Sequence, residues 1–125
     1  ARAARRDRGG RHGAARTFDR DIAEIGELID RLTNIAAEVA RRLASVSTTG
    51  RTVTLKIKYH DFTISTRSHT LYNGIAGADE LLAIGTDLLK SSPPKRAVRL
   101  LGLTVSGLRE IGTERKSGQM VLELG

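Results

Sequence analysis

The side chains with the clearest chemistry lie in one segment, RTVTLKIKYHDFTISTRSHTL, which covers residues 51–71. Apolar residues alternate there with ammonium, guanidinium, imidazole and hydroxyl groups, and Asp61 is the only acid in the segment. Such alternation is typical of half-buried strands, whose polar side chains form one face. A face rich in cations and hydroxyls, with almost no carboxylate, is suited to a polyanion, because Lys and Arg displace counterions from phosphates.

The period of two predicts strands over residues 51–60 and 63–71, joined by a tight turn at Asp61 and Phe62. This turn would pair Lys58 with Ser65, Lys56 with Arg67, and Thr54 with His69 on one exposed face. One of these pairs joins two cations, at a cost of about 0.2–1 kcal/mol, which a bound polyanion would relieve. The alternative is that the charges only keep an exposed face soluble, but acidic residues would serve that purpose equally well.

Catalytic and metal-binding chemistry is not predicted. The histidines, His12, His60 and His69, are far apart in the sequence, and no carboxylate stands where it would complete a metal site with them. The clustered acids belong to the start and the solvent side of a predicted helix: Asp19, Asp21, Glu24, Glu27 and Asp30. No pair of them is spaced for acid–base or two-metal catalysis, and no glycine-rich phosphate loop is present.

The composition is that of one soluble, basic domain. The 125 residues carry a formal net charge of +7, no cysteine and no apolar run long enough to span a membrane. The absence of cysteine suits a reducing cytoplasm, where we expect the protein to act. Most of the excess charge lies in residues 1–16, which hold six arginines and one aspartate. This balance favours a polyanionic partner such as nucleic acid or an anionic membrane.

Four further segments complete the predicted architecture. Apolar spacing predicts a helix over residues 22–43 and a shorter one over residues 79–89, which the prolines of SSPP end. A last strand is expected from Arg96 to Leu108 and a first strand around Arg11 to Phe18. The order βαββαβ predicts an α+β fold, a four-stranded antiparallel sheet of ferredoxin-like type with both helices on one face. The opposite face would be open to solvent.

Three segments carry a resemblance to a known family: VARRL, GRTVTLKIKYHDFTISTRSHTL and RAVRLLGLTVSGL. In order and spacing they resemble the little finger domain of Y-family DNA polymerases of the bacterial DNA polymerase IV type, over residues 16–108. The expected division is therefore a flexible Arg-rich linker over residues 1–15, the domain over residues 16–108, and a flexible tail over residues 109–125. The resemblance implies a bacterial, cytoplasmic, nucleoid-associated protein of translesion synthesis and DNA repair.

The resemblance implies a non-catalytic domain that holds primer–template DNA without reading its sequence, its open sheet lying in the major groove. The catalytic palm, which would use Mg²⁺ for nucleotidyl transfer, is absent, so no cofactor is expected here. The implied DNA-binding residues are Arg11, Arg16, Thr54, Lys56, Lys58, His60, Thr66, Arg67, His69, Arg99, Thr104 and Ser106. Relatives often carry a basic residue where Thr104 stands, so the last strand is expected to bind DNA more weakly.

The C-terminal sequence GQMVLELG is similar to the peptide with which such polymerases dock on the ring-shaped sliding clamp. A glutamine followed by spaced aliphatic residues can hydrogen-bond at a pocket rim and fill the pocket. The expected clamp-binding residues are Gln119, Met120, Val121, Leu122 and Leu124. A disordered end or an additional strand is the alternative.

A different class of function, a free-standing ferredoxin-like module that binds RNA or protein, is the second hypothesis. An RNA-binding sheet uses exposed aromatic side chains as stacking platforms. The chain contains only two Phe and two Tyr, and the predicted core requires several of them. The composition therefore favours contact with a duplex backbone.

Overall fold

The computed structural model describes residues 10–111. This part of the chain contains six elements: β1 (Arg11–Ile22), α1 (Ile25–Ser45), β2 (Thr48–Tyr59), β3 (Ile64–Ile75), α2 (Ala78–Ser91) and β4 (Val98–Glu110). The strands form one sheet in the order β1-β4-β2-β3, and every neighbouring pair is antiparallel. The edges of the sheet are therefore β1 and β3.

Both helices cover the same face of this sheet. Helix α1 contacts β1 and β4, helix α2 contacts β2 and β3, and the two helices pack against each other. The predicted α+β fold with the order βαββαβ is therefore confirmed. Within residues 10–111 no helix lies on the other face of the sheet, so its side chains are not covered by these elements.

The core lies between the helices and the sheet, and alternation along the strands determines which residues enter it. In β2 the fully buried residues are Val53, Leu55 and Ile57, and those of β4 are Val98, Leu101, Leu103 and Val105. Helix α1 contributes an apolar stripe at three- and four-residue spacing: Leu28, Leu32, Ile35, Ala36, Val39 and Leu43. Burial of each large aliphatic side chain contributes about 1.5–3 kcal/mol, which holds the helices on this face.

The boundaries differ from the prediction mainly at the strand ends. Ile22 is the last residue of β1, although its spacing fits the helical stripe, and α1 begins at Ile25. Residues 11–15 were predicted to belong to the N-terminal linker but are part of β1. The predicted tail begins at residue 109, whereas β4 continues through Glu110. Over residues 10–111, neither helix is long and apolar enough to span a bilayer.

Candidate nucleic-acid interface

The turn between β2 and β3 encloses three residues instead of the predicted two. The backbone N–H of Tyr59 donates to the Thr63 carbonyl at 2.9 Å, and the N–H of Phe62 donates to the Tyr59 carbonyl at 2.8 Å. Phe62 has a φ of 70°, the left-handed conformation that closes a three-residue hairpin loop. Asp61 stabilises the turn, because its Oδ1 accepts hydrogen bonds from the backbone and the hydroxyl of Thr63.

The additional turn residue shifts the hairpin register by one position. The observed pairs are Lys58–Ile64, Lys56–Thr66, Leu55–Arg67, Thr54–Ser68 and Val53–His69. Side chains of directly opposite residues lie on the same face, and a one-residue slip turns a whole strand over. Arg67 and His69 therefore lie on the helix side. The predicted register was wrong, and the predicted like-charge pair of Lys56 and Arg67 does not exist.

Arg67 and His69 are directed toward α2. Nη2 of Arg67 lies 3.4 Å from Oγ of Ser92, just beyond the end of α2, and its Nη1 is buried without a hydrogen-bond partner in the described part of the chain. His69 borders a groove of about 260 Å³ whose other lining residues belong to α2: Ile84, Asp87, Leu88 and Ser91. Neither side chain shares the open face with Lys56.

Arg16 is also on the helix side. It lies opposite buried Leu101 and forms an ion pair with Glu38 of α1. Glu38 also pairs with Arg42 at 2.6 Å. The hydrogen bond from Arg16, together with the positive charges of Arg16 and Arg42, lowers the pKa of Glu38. Arg16 thus joins β1 to α1 and is not available on the open face.

The open face consists of four rows that cross all four strands. In the order β1, β4, β2, β3 the rows are Arg11, Ser106, Thr52, Thr70; Gly13, Thr104, Thr54, Ser68; Ala15, Gly102, Lys56, Thr66; and Thr17, Leu100, Lys58, Ile64. The charged members are all cations, Arg11, Lys56 and Lys58, and these rows contain no carboxylate and no aromatic ring. The four rows therefore have phosphate-binding groups but no stacking platform.

Hydroxyl groups connect β2 to β3 on this face. The hydroxyls of Thr52 and Thr70 are 3.0 Å apart, and those of Thr54 and Ser68 are 2.8 Å apart. A hydroxyl is both a donor and an acceptor, so each pair retains hydrogen-bonding capacity toward a ligand. Ser68 and Thr70 were missed from the sequence because the predicted register turned β3 over. Thr52 of β2 shares the alternation of Thr54 and Lys56, a signal that could have found it.

The centre of the face, between β1 and β4, has only small side chains or none, and it is uncharged. A Cβ on Gly13 would lie 2.6 Å from the Leu103 carbonyl oxygen, and a Cβ on Gly102 would lie 3.2 Å from Cβ of Ala15. The strands pack closely here because these positions have no side chain. Thr104 and Ser106 lie on this face, as the family resemblance implies, and they contribute hydroxyl groups without charge.

The hairpin end of the face contains a cation–aromatic cluster. Nζ of Lys58 lies 5.2 Å and the guanidinium carbon of Arg99 lies 4.8 Å from the ring centroid of Phe62, which is 59% exposed. Nε of Arg99 is 3.3 Å from Oδ1 of Asp21, an ion pair without hydrogen-bond geometry. Arg99 is thus partly neutralised, whereas Lys58 forms no ion pair in the described residues. His60 is exposed in the adjacent turn.

The remaining predictions concern metal and clamp binding. Between Gly10 and Ile111, no group of three or more His, Cys, Asp or Glu residues is placed to hold a metal ion. The predicted clamp-binding residues Gln119, Met120, Val121, Leu122 and Leu124 lie outside the described residues.

Comparison with known proteins identifies the family. The profile of the impB/mucB/samB family C-terminal domain matches residues 11–122. DNA polymerase IV of Leptospira interrogans is 39% identical over 102 residues, which cover 75% of this chain and 28% of the relative. DNA polymerase IV of Alkalilimnicola ehrlichii is 44% identical over 97 residues, which cover 77% of this chain and 27% of the relative.

A solved structure described as a complex of beta-clamp processivity factor and the little finger domain of PolIV has a TM-score of 0.66 and 27% identity. The match covers 78% of this chain and 87% of that chain. This chain belongs to the little finger domains of the Y-family DNA polymerases. The little finger also shares its fold with part of a solved structure described as the insertion ternary complex of Dbh DNA polymerase, with a TM-score of 0.71 and 18% identity. That match covers 81% of this chain and 29% of that chain. It spans little more than a quarter of the length of the curated relatives it matches.

Proposed function

We propose that this little finger binds the backbone of duplex primer–template DNA through the open face of its sheet. The observation that carries the proposal is the composition of that face, on which every charged row position is a cation, Arg11, Lys56 or Lys58. Neither of the two described helices covers the face. Ammonium and guanidinium groups displace counterions from phosphates, so the affinity of such a face rests mainly on charge and decreases as salt increases.

The observed register of the β2–β3 hairpin changes the set of DNA-binding residues that the sequence predicted. Lys56 and Lys58 would bind phosphate oxygens, with row hydroxyls adding hydrogen bonds. The retained residues are Arg11, Thr54, Lys56, Lys58, His60, Thr66, Arg99, Thr104 and Ser106, to which Thr52, Ser68 and Thr70 are added. Arg16, Arg67 and His69 are removed, because their side chains lie on the helix side. Contacts to phosphate position a protein on DNA without reading bases, so binding should be independent of sequence.

Fluorescence anisotropy with a labelled primer–template duplex tests this proposal. We expect a Kd of about 10⁻⁴ to 10⁻⁶ M at physiological salt, as for nonspecific DNA binding, and a linear decrease of log K with log salt. Two duplexes of unrelated sequence should give the same curve. No measurable binding at about 50 mM salt, or binding that is independent of salt, would refute the proposal.

The parent protein would be a lesion-bypass polymerase. The relatives carry the name DNA polymerase IV, and this chain corresponds to 28% of the Leptospira protein. We propose that the little finger holds the duplex against a Mg²⁺-dependent catalytic core in the parent chain. The isolated little finger should therefore not extend a primer, whereas removal of this segment from the parent enzyme should reduce its affinity for primer–template.

Docking on a sliding clamp is the second part of the proposal. It is supported by the sequence of residues 119–124, QMVLEL, and by the similar little finger that is described in complex with a beta-clamp. Deletion of residues 119–124 should abolish binding to the clamp of the source bacterium in surface plasmon resonance. The same variant should keep its DNA affinity, since the open face is unchanged. Clamp binding that survives the deletion would exclude this segment as the docking peptide.

A further inference from the structure

A polar cleft of about 350 Å³ lies at the end of the sheet far from the β2–β3 turn. It arises from an irregularity in the hairpin register: Gly50 lies opposite Ile75 and Thr52 lies opposite Thr70. Four residues of β3, 71–74, therefore lie opposite a single residue of β2, Arg51. A bulge of this kind bends the strand and redirects its side chains. The lining residues are Thr49, Arg51, Tyr72, Asn73, Gly74, Gly107 and Arg109.

The cleft opens on the same face as Lys56. A Cβ on Gly50 would collide with Val105 and approach Leu108, so Gly50 faces the core. Successive residues of a strand point to opposite faces, which places Thr49 on the open face. Arg109 lies directly opposite Thr49 and shares that face. The cleft therefore extends the surface proposed to bind DNA.

Two guanidinium groups give the cleft its chemistry. Nε of Arg51 donates to the Leu71 carbonyl at 3.0 Å, which orients the guanidinium and leaves its two terminal NH₂ groups without a partner in the described residues. Arg109 takes part in no ion pair in that part of the chain. No carboxylate from residues 10–111 lines the cleft. Two like charges held close together without an acid are stabilised by an anion.

Uncharged groups in the lining favour an oxygen-rich anion. Tyr72 is 91% exposed and its hydroxyl has no partner among residues 10–111, so it can donate to an anion, and the Asn73 amide adds further donors. Gly107 has a φ of 68°, and a Cβ on Gly74 would lie 2.6 Å from Oγ1 of Thr49. These two glycines keep the floor of the cleft free of side chains, which allows a tetrahedral anion to approach the backbone.

We propose that this cleft binds a phosphate of the DNA backbone, with Arg51 and Arg109 as its ligands. The inference rests on the proposed function, because the phosphate belongs to the same duplex. Five residues along a strand separate Arg51 from Lys56 by about 17 Å, more than the roughly 12 Å width of the major groove. The cleft is therefore a second contact, separate from the lysines, and the uncharged row of Gly13, Thr104, Thr54 and Ser68 lies between the two.

Salt-dependent anisotropy with an Arg51→Gln/Arg109→Gln double variant tests the inference. Loss of this phosphate contact should make the log K against log salt slope shallower by about 0.9 and reduce the affinity several-fold at about 0.15 M salt. The matched control is Arg41→Gln/Lys90→Gln, which removes the same charge from exposed positions on the two helices and should leave the slope almost unchanged. An Arg51→Lys/Arg109→Lys variant keeps the charge and should restore most of the slope.

The outcomes separate this inference from the proposed function. If the wild-type domain does not bind duplex DNA, both are overturned. If the wild type binds, and Lys56→Ala reduces the slope while Arg51→Gln/Arg109→Gln does not, only the phosphate cleft is refuted. If the double variant keeps its DNA slope but loses clamp binding, the cleft belongs to a protein interface and the inference is likewise overturned. Thermal unfolding of each variant establishes that a reduced slope does not reflect an unfolded domain.

Discussion

Arg67 lies directly opposite Leu55 in the β2–β3 hairpin, and this pairing divides the basic residues of the segment between two faces. Leu55 is fully buried, so Arg67 extends along the helix side toward Ser92. Lys56, the next residue of β2, lies opposite Thr66 on the open face. Two cations that the sequence predicts to be paired therefore lie on different faces: Arg67 extends toward α2, and Lys56 lies on the face that we propose binds DNA.

The salt dependence of DNA binding should distinguish these two cations. Lys56→Ala should make the log K against log salt slope shallower by about 0.9, the value for one phosphate contact on B-DNA. Arg67→Ala removes the same charge from the helix side and serves as the matched control, with little change in slope. A larger effect of Arg67→Ala on the slope, in a variant shown to be folded by circular dichroism, would mean that the observed register is not the one that binds DNA.

A cation added to the uncharged centre of the face should strengthen binding. Thr104 lies between Gly13 and Thr54 on the open face, so an arginine there would reach a phosphate that the wild type leaves uncontacted. Thr104→Arg should make the slope steeper by about 0.9 and increase the affinity several-fold. Thr33→Arg adds the same charge to an exposed position of α1 and should have little effect. Equal gains from both substitutions would indicate a response to net charge alone.

Acid should destabilise the fold through two carboxylates. The hydrogen bond from Arg16 lowers the pKa of Glu38, and the side-chain and backbone hydrogen bonds from Thr63 lower the pKa of Asp61. A lowered folded-state pKa adds stability above the unfolded values of about 3.9–4.3, and this stability is lost as pH decreases through the folded-state pKa.

Urea denaturation measures this effect. The difference in unfolding free energy between wild type and Glu38→Gln should be present at pH 7 and be lost as the pH decreases below the unfolded-state pKa of about 4.3 and through the lowered folded-state pKa of Glu38. Asp61→Asn should behave in the same way for the turn. A difference that is constant across this pH range would show that the charge of the carboxylate does not contribute.

The core of the sheet should be more sensitive to substitution than the open face. Leu103 is fully buried and lies close to Gly85 of α2, so Leu103→Ala leaves a cavity beneath the helix. Its unfolding free energy should decrease by about 2–5 kcal/mol, measured by urea denaturation. Thr66→Ala on the open face should change stability by no more than about 0.5 kcal/mol. Comparable losses in the two variants would contradict the assignment of the faces.

Periodicity was sufficient to predict the elements but not the face that each residue of β3 occupies. Alternation in residues 51–59 and the helical stripe of α1 identify the core because burial follows these periods directly. The side of Arg67 depends instead on whether the turn has two or three residues, and that choice requires a non-glycine residue, Phe62, in the left-handed conformation. Such a conformation is uncommon, so the sequence favours the shorter turn and places every residue of β3 on the wrong face.

The cleft at the opposite end could not be predicted for a similar reason. A regular strand would place Arg51 among the core residues, since Val53 and Leu55 follow it at intervals of two. The bulge across from Arg51 removes that constraint. It is formed by residues 71–74 of the partner strand, which are distant in sequence. Arg109, at a position expected to be tail, enters the site because β4 continues through Glu110.

The central claim is that duplex DNA covers the open face, and a pair of single-cysteine variants tests it most directly. The chain contains no cysteine, and Ser68 and His69 are neighbouring exposed residues of β3 that lie on opposite faces. Alkylation rates of Ser68→Cys and His69→Cys are measured with and without saturating primer–template at low salt. We predict that DNA slows the reaction of Ser68→Cys, that high salt restores it, and that His69→Cys reacts at an unchanged rate. Protection of His69→Cys with unchanged reactivity of Ser68→Cys would contradict the claim.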